Sequence, residues 1–168
     1  MKESNTNIVF PKLLIIGSGR HGKDTVAEIL RDDFGMKFKS SSQASADIFL
    51  YEALKDKYDY KTPEECFDDR ANHRAEDRAR LAKSIMSSAD CYVGMRDRDE
   101  IVECLDQKVF DLVIWVDASE RLPLEDATSF NIGKSCADII IDNNGTLEQL
   151  ITKVNRLGRS LNIYEVPF

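Results

Sequence analysis

The sequence predicts a three-layer α/β domain on a mainly parallel sheet, and three observations predict it. Strand-like runs alternate with helical segments along the 168 residues. The runs are short and continuously apolar, as in Leu13-Leu14-Ile15-Ile16, which is how strands covered on both faces read. Between the first run and the first helix lies Gly17-Ser18-Gly19-Arg20-His21-Gly22-Lys23-Asp24-Thr25, a glycine-rich turn in strand–loop–helix order.

The elements follow in order. Lys12 to Ile16 reads as a buried strand, and a helix from about Lys23 to Phe34 stops at Gly35. Met36 to Lys39 is a candidate second strand, followed by the polar turn Ser40-Ser41-Ser42-Gln43 and a helix from about Ala44 to Lys57. Thr62-Pro63-Glu64-Glu65 starts another helix: Thr62 caps, Pro63 takes the first position and Glu65 completes a capping box. This helix is expected to run, with room for a break, to about Ser87. Cys91 to Met95 reads as a strand ending at Arg96, and Asp97 with Glu100 begins a helix over about Arg98 to Gln107. Asp111 to Asp117 is the clearest strand, Ala118 to Cys136 is polar and irregular, and Asp138 to Asp142 is the last strand. Asn143-Asn144-Gly145 turns the chain, and Thr146 with Gln149 opens a final helix to about Leu161.

The glycine-rich turn has the chemistry of a phosphate-binding loop. Its glycines let backbone N–H groups curl around phosphate oxygens, and Lys23 reaches the outer phosphates as a point charge. Gly17, Gly19, Arg20, His21, Gly22, Lys23, Asp24 and Thr25 are therefore candidate ATP-binding residues, with Lys23 catalytic. The pattern G-x-x-x-x-G-K-[ST] is met except at Asp24, which stands where Ser or Thr is expected and is followed by Thr25. A Mg²⁺ ion accompanying a triphosphate needs oxygen ligands, for which the candidates are Thr25, then Asp24, then Asp97. Asp117 is a further carboxylate at a strand end, equally readable as a turn cap.

Ligands of such sheets bind outside the carboxyl ends of the strands, where the loop, Arg96, Asp117 and Asn143 should gather. Arg96 is a candidate clamp on an acceptor or on the transferring group. Arg70, Arg74 and Arg78 recur every fourth residue, with His73 and Arg80 nearby, so one helix face would carry an arginine stripe facing a second phosphate. The plainer reading pairs those arginines with Asp69, Glu76 and Asp77. Asn143 and Gly145 are candidates for a base-binding rim or, more simply, a turn and helix cap.

Composition narrows the field. A net charge of −7 and a pI near 4.9 argue against nucleic acid or an anionic membrane as main partner. Four cysteines without C-x-x-C spacing and only two histidines argue against zinc and suit a reducing cytoplasm. Met1 to Asn7 is polar, with no signal peptide or membrane span expected, so a cytoplasmic location is expected. No G-x-S-x-G occurs, and neither histidine sits in a nucleophile-activating pattern.

Five blocks in order resemble the nucleoside monophosphate kinases, most closely the deoxynucleoside monophosphate kinases of tailed bacteriophages. They are Gly22-Lys23-Asp24-Thr25, Asn72-His73-Arg74, Tyr92-Val93-Gly94-Met95-Arg96, the run Phe110 to Ala118, and the run Ile141 to Glu148. In that group the residue after the lysine is often neither Ser nor Thr and a Thr follows, which gives Thr25 the hydroxyl role. The resemblance implies a single P-loop domain over 1–168 with a five-stranded parallel sheet ordered 2-3-1-4-5. It also implies a helical acceptor-binding insertion over about 40–88 and a lid over about 119–135. The implied reaction moves the ATP γ-phosphate to a nucleoside monophosphate with Mg²⁺. Ser41, Ser42, Gln43, Arg70, His73, Arg74 and Arg96 would hold the acceptor, and Arg121 would join the ATP site. The implied partners are small nucleotides, in the host cytoplasm for a phage-encoded enzyme, and the resemblance leaves room for a homodimer.

Two departures stand out. The lid segment carries only Arg121, plus Lys134, so charge on the transferring group falls to Arg20, Arg96 or the arginine stripe. The block ending at Glu76 also runs directly into Asp77-Arg78-Ala79-Arg80, shorter than the resemblance implies. Two other readings stay open: a P-loop kinase for another small acceptor, such as a dephospho-coenzyme A-like compound, and a non-catalytic nucleotide-binding module. The base and sugar of the acceptor are not legible from spacing, although Gln43, Phe49 and Tyr51 are candidates for reading them.

Overall fold

The computed structural model describes residues 6–40, 44–69, 71–72, 76–124, 132–161 and 165–167. The strands are β1 (Thr6–Ile8), β2 (Leu13–Ile16), β3 (Phe38–Ser40), β4 (Cys91–Val93), β5 (Leu112–Asp117), β6 (Ile139–Asp142) and β7 (Glu165–Pro167). The α-helices are α1 (Lys23–Phe34), α2 (Ala44–Tyr58), α3 (Pro63–Asp68), α4 (Arg80–Met86), α5 (Arg98–Asp106) and α6 (Leu147–Leu161), and a 3₁₀ turn covers Lys134–Cys136. Five strands form one sheet in the order β3-β4-β2-β5-β6, every neighbouring pair parallel. Counted within that sheet the order is 2-3-1-4-5, as expected from the sequence.

β2 is central because it is apolar on both faces. Leu13 and Ile15 face one layer with Cys91, Val93, Ile114 and Val116, against Val26, Ala27 and Leu30 of α1 and Leu150 and Val154 of α6. Leu14 and Ile16 face the other with Tyr92, Val113 and Trp115, against Ala82 and Ile85 of α4 and Ile101 and Cys104 of α5. Period-2 alternation thus sends one strand's side chains into two separate cores, which makes its sequence a continuous apolar run. Cys91 and Cys104 are buried in these cores, and burial pushes both thiols up to about 12, which leaves them unreactive at neutral pH.

The helix ends follow their sequence signals. Thr62 Oγ1 accepts from Glu65 N–H at 3.2 Å, but Glu65 returns its carboxylate to Lys61 N–H at 2.7 Å, one residue earlier than in a standard capping box. Thr146 and Gln149 close the reciprocal box, with Gln149 N–H on Thr146 Oγ1 and Thr146 N–H on Gln149 Oε1.

The structure adds to the sequence expectation at two places. The helix begun at Thr62 stops at Asp68, whose neighbour Asp69 caps it with its N–H on the Glu65 carbonyl at 3.1 Å. Ala71, Asn72 and Glu76 are again helical, and α4 follows after a turn in which Asp77 accepts Ala79 N–H at 3.0 Å. β1 and β7 pair antiparallel as a separate ribbon, Thr6 opposite Pro167 and Ile8 opposite Glu165. Three-residue strands so far apart in sequence leave no local pattern to read. Among the described residues no helix is long and apolar enough to cross a membrane.

Candidate active site at the carboxyl edge of the sheet

Parallel strands put all their carboxyl ends on one edge. There β2 feeds the glycine-rich loop, β4 feeds Gly94 to Asp97, β5 feeds Ala118 to Pro123, and β6 feeds Asn143 to Thr146. The ends are stitched together by backbone: Gly94 N–H bonds Ile15 O at 3.0 Å and Asn143 N–H bonds Asp117 O at 2.7 Å.

The loop is closely fitted to its surroundings. A Cβ at Gly17 would stand 2.5 Å from the Val116 carbonyl oxygen. Gly22 caps α1 at φ 104°, a backbone state that L side chains avoid, and a Cβ there would meet Asn143 Nδ2 at 2.5 Å. Lys23 Nζ donates to the Gly17 carbonyl at 2.7 Å, joining the two ends of the loop. Arg20 is exposed in the left-handed region at φ 67°, at a tip where a non-glycine residue is uncommon.

His21 does not face the loop's open side. Its ring is wholly buried, accepts Ala118 N–H on Nδ1 at 3.0 Å and sets Nε2 3.0 Å from the Pro123 carbonyl. Asn143 Nδ2 donates to the His21 carbonyl at 2.9 Å, Arg121 Nε donates to the Asn143 carbonyl at 2.8 Å, and Glu120 N–H donates to Asn144 Oδ1 at 2.9 Å. The phosphate loop, the β5 exit and the β6 exit are therefore one hydrogen-bonded unit.

Two carboxylates at this edge, Asp117 and Asp97, are engaged. Asp117 accepts Ser119 N–H at 3.2 Å and pairs with Lys134 at 3.1 Å. Burial works against its charged form, but the bonds from Ser119 and Lys134 outweigh that and hold its carboxyl below the ordinary 3.8. Asp97 caps α5 through Asp99 N–H at 3.1 Å and faces Arg78 Nη1 at 3.3 Å. Asp24 is exposed and Thr25 half-buried in the first turn of α1. Among the described residues no cluster of three or more His, Cys, Asp or Glu side chains could hold a metal. A hydroxyl such as Thr25, with phosphate oxygens and water, is a donor set that fits Mg²⁺ and leaves zinc or calcium poorly served.

Comparison of the sequence with family models and with curated proteins finds no match. Comparison of the structure does. A shikimate kinase from Bacteroides thetaiotaomicron superposes with a TM-score of 0.52 at 12% identity, covering 92% of this chain and 100% of that one. A shikimate kinase from Acinetobacter baumannii, solved in complex with shikimate, gives 0.50 at 14% identity, covering 93% and 97%. The chain has the fold of the shikimate kinases.

On this shikimate-kinase fold the residues expected from sequence fall into three groups. Gly17, Gly19, Arg20, Gly22, Lys23, Asp24, Thr25, Arg96, Arg121, Asn143 and Gly145 all lie at the carboxyl edge. Gly145 is there for room, since a Cβ would meet the capping Gln149 Oε1. Ser41, Ser42, Gln43, Arg70, His73 and Arg74 lie outside the described residues, as does 125–131 of the expected lid. The third group makes other contacts. Arg78 lies in the turn between Glu76 and Arg80 and pairs with Asp97. Arg80 reaches Glu76 at 3.5 Å and the Tyr58 hydroxyl, and Tyr51 donates its hydroxyl to the Lys61 carbonyl at 3.2 Å. The inward turn of His21 and the Asp117–Lys134 pair were not anticipated; the signal for the first was a lone imidazole inside a run of small residues.

Proposed function

We propose that this protein is an ATP-dependent kinase that phosphorylates a (deoxy)nucleoside monophosphate. The observation that carries the kinase reading is the loop from Gly17 to Lys23, set between β2 and α1 at the edge where Arg20, Arg96 and Arg121 also emerge. ATP phosphates would lie along the loop's N–H groups and the amino end of α1, with Lys23 on the outer phosphates. The Thr25 hydroxyl would help hold Mg²⁺, which would supply charge neutralisation for the phosphates.

An acceptor phosphate oxygen attacks the γ-phosphorus as the bond to the β–γ bridging oxygen breaks, and ADP leaves. An acceptor that is already anionic needs no general base. That matches the edge: Asp117 is tied to Ser119 and Lys134 and held in its weakly basic form, and Asp97 is tied to α5 and Arg78. Arg20 and Arg96 are then the cations for the transferring group. The monophosphate identity of the acceptor rests on the sequence resemblance and on the engagement of Asp117 and Asp97 in other contacts. A second reading, a hydroxyl acceptor such as a small acid or sugar, is favoured by the shikimate kinases among the structural neighbours.

The test is Mg-ATP with a panel of ribo- and deoxynucleoside monophosphates, shikimate and gluconate, following ADP and phosphorylated product. Transfer to one or a few monophosphates, lost by about 10²-fold or more in Lys23→Ala with unchanged circular dichroism, supports the proposal. Transfer only to a hydroxyl acceptor selects the second reading, and tight ATP binding without transfer to anything overturns both.

A further inference from the structure

We propose that His21 is a positioning residue: its buried ring locks the phosphate loop to the Ala118–Pro123 segment and so fixes the loop for nucleotide. The lock is read from hydrogen-bond chemistry. A backbone N–H only donates, so Nδ1, 3.0 Å from Ala118 N, must present a lone pair. A carbonyl only accepts, so Nε2, 3.0 Å from Pro123 O, must carry the proton. Both partners are backbone, and together they admit one neutral tautomer and no other state of the ring.

The consequence is mechanical. The ring is wholly buried, and Ala118 is at 0% exposure, so water cannot replace a lost acceptor there. The backbone of His21 lies in the loop between Arg20 and Gly22, and its carbonyl is gripped by Asn143 Nδ2. Side chain and main chain of this one residue therefore tie the loop to the exits of β5 and β6 at once. Ala118 and Pro123 bracket Arg121, whose guanidinium is anchored on the Asn143 carbonyl, so the lock also sets where that cation stands.

The inference rests on the nucleotide-loop reading above, and its test separates the two. In a His73→Gln background His21 is the sole histidine, and ¹⁵N-edited imidazole spectra should show a protonated Nε2 and an unprotonated Nδ1 at neutral pH. His21→Asn keeps an acceptor near the Nδ1 position, whereas His21→Leu removes both bonds. The expected result is faster amide exchange at Ala118 in His21→Leu, with protection largely restored in His21→Asn. ATP binding, measured well below each variant's melting temperature, should weaken about tenfold in His21→Leu and recover in His21→Asn, with acceptor KM unchanged. A protonated Nδ1, or equal amide exchange and ATP affinity in the two variants, overturns the lock. If the wild-type protein binds no nucleotide, the kinase reading fails, and the tautomer and the Ala118 exchange still decide the lock.

Discussion

The phosphate-loop edge and the helical segment from Ala44 to Met86 are built from different interactions. At the edge, backbone groups of four chain segments bond to one another or to buried side chains, as in Asn143 N–H to Asp117 O and Ala118 N–H to His21. Among the described residues of the helical segment, side chains cross-link to side chains, largely exposed: Lys57 and Arg80 to Glu76, Lys61 to Asp59, the Tyr58 hydroxyl to Glu76 and the half-buried Tyr60 hydroxyl to Asp69. Among the described residues its own core holds Leu50, Leu54 and Cys66 with Tyr58 and Tyr60 packed against them, and it joins the main core through Leu81. Backbone bonds in a buried site hold one geometry, whereas exposed pairs are worth little and permit many. The glycine-rich-loop edge is thus tied through buried backbone bonds, and the described part of the helical segment through exposed side-chain pairs.

The sharpest way to break that contrast is Gly22→Ala. It forces a side chain into a left-handed position and against Asn143 Nδ2. We expect a loss of about 1–3 kcal/mol in thermal unfolding and at least tenfold weaker ATP binding by calorimetry. Normal affinity would show that the edge yields as readily as the helical segment.

Gly158→Ala probes the scaffold behind the loop. A Cβ there would stand 2.2 Å from Phe34 Cε2, between α6 and α1. The usual helix gain of about 1 kcal/mol for Gly→Ala should be reversed to a net loss of about 1–2 kcal/mol. An unchanged melting temperature would mean that Phe34 swings away freely.

Asp117 gives the contrast a pH dependence. Its carboxyl is lowered on folding, so it stabilises the fold above its unfolded value and loses that contribution as pH falls through the folded one. The wild-type melting temperature should therefore drop below about pH 4 more steeply than that of Asp117→Asn, which should itself cost about 1 kcal/mol at pH 7. Parallel curves would remove the Ser119 and Lys134 contacts from the account.

The smallest effect belongs to the helical segment. Arg78 is 47% exposed in its pair with Asp97, so Arg78→Ala should change stability by no more than about 0.5 kcal/mol in denaturant unfolding. A loss above about 2 kcal/mol would place that pair among the rigid contacts and erase the difference between the two regions.

Most of the architecture was written locally. The continuous apolar runs of β2 and β5 and the cap signals at Gly35, Thr62, Asp97 and Thr146 each act within a few residues. The glycine-rich turn also carries its own backbone requirement at Gly22, and parallel strands then oblige the loop, Arg96, Asp117 and Asn143 to share an edge. Spacing by four along the chain does not decide the arginine stripe: Arg70 and Arg74 lie outside the described residues, and Arg78 sits in a turn where Asp77 bonds Ala79 N–H.

What the sequence by itself determined is the order of elements, the phosphate loop and the edge on which it opens, because hydrophobic period, caps and turn chemistry are short-range. What only the tertiary structure decided is which way each polar side chain turns at that edge. His21 turns inward because the buried Ala118 N–H, about a hundred residues downstream, needs an acceptor and the Pro123 carbonyl comes within reach of the other ring nitrogen. Asp117 belongs to Lys134 and Asp97 to Arg78 because folding brought those charges within reach, which spacing along the chain does not encode.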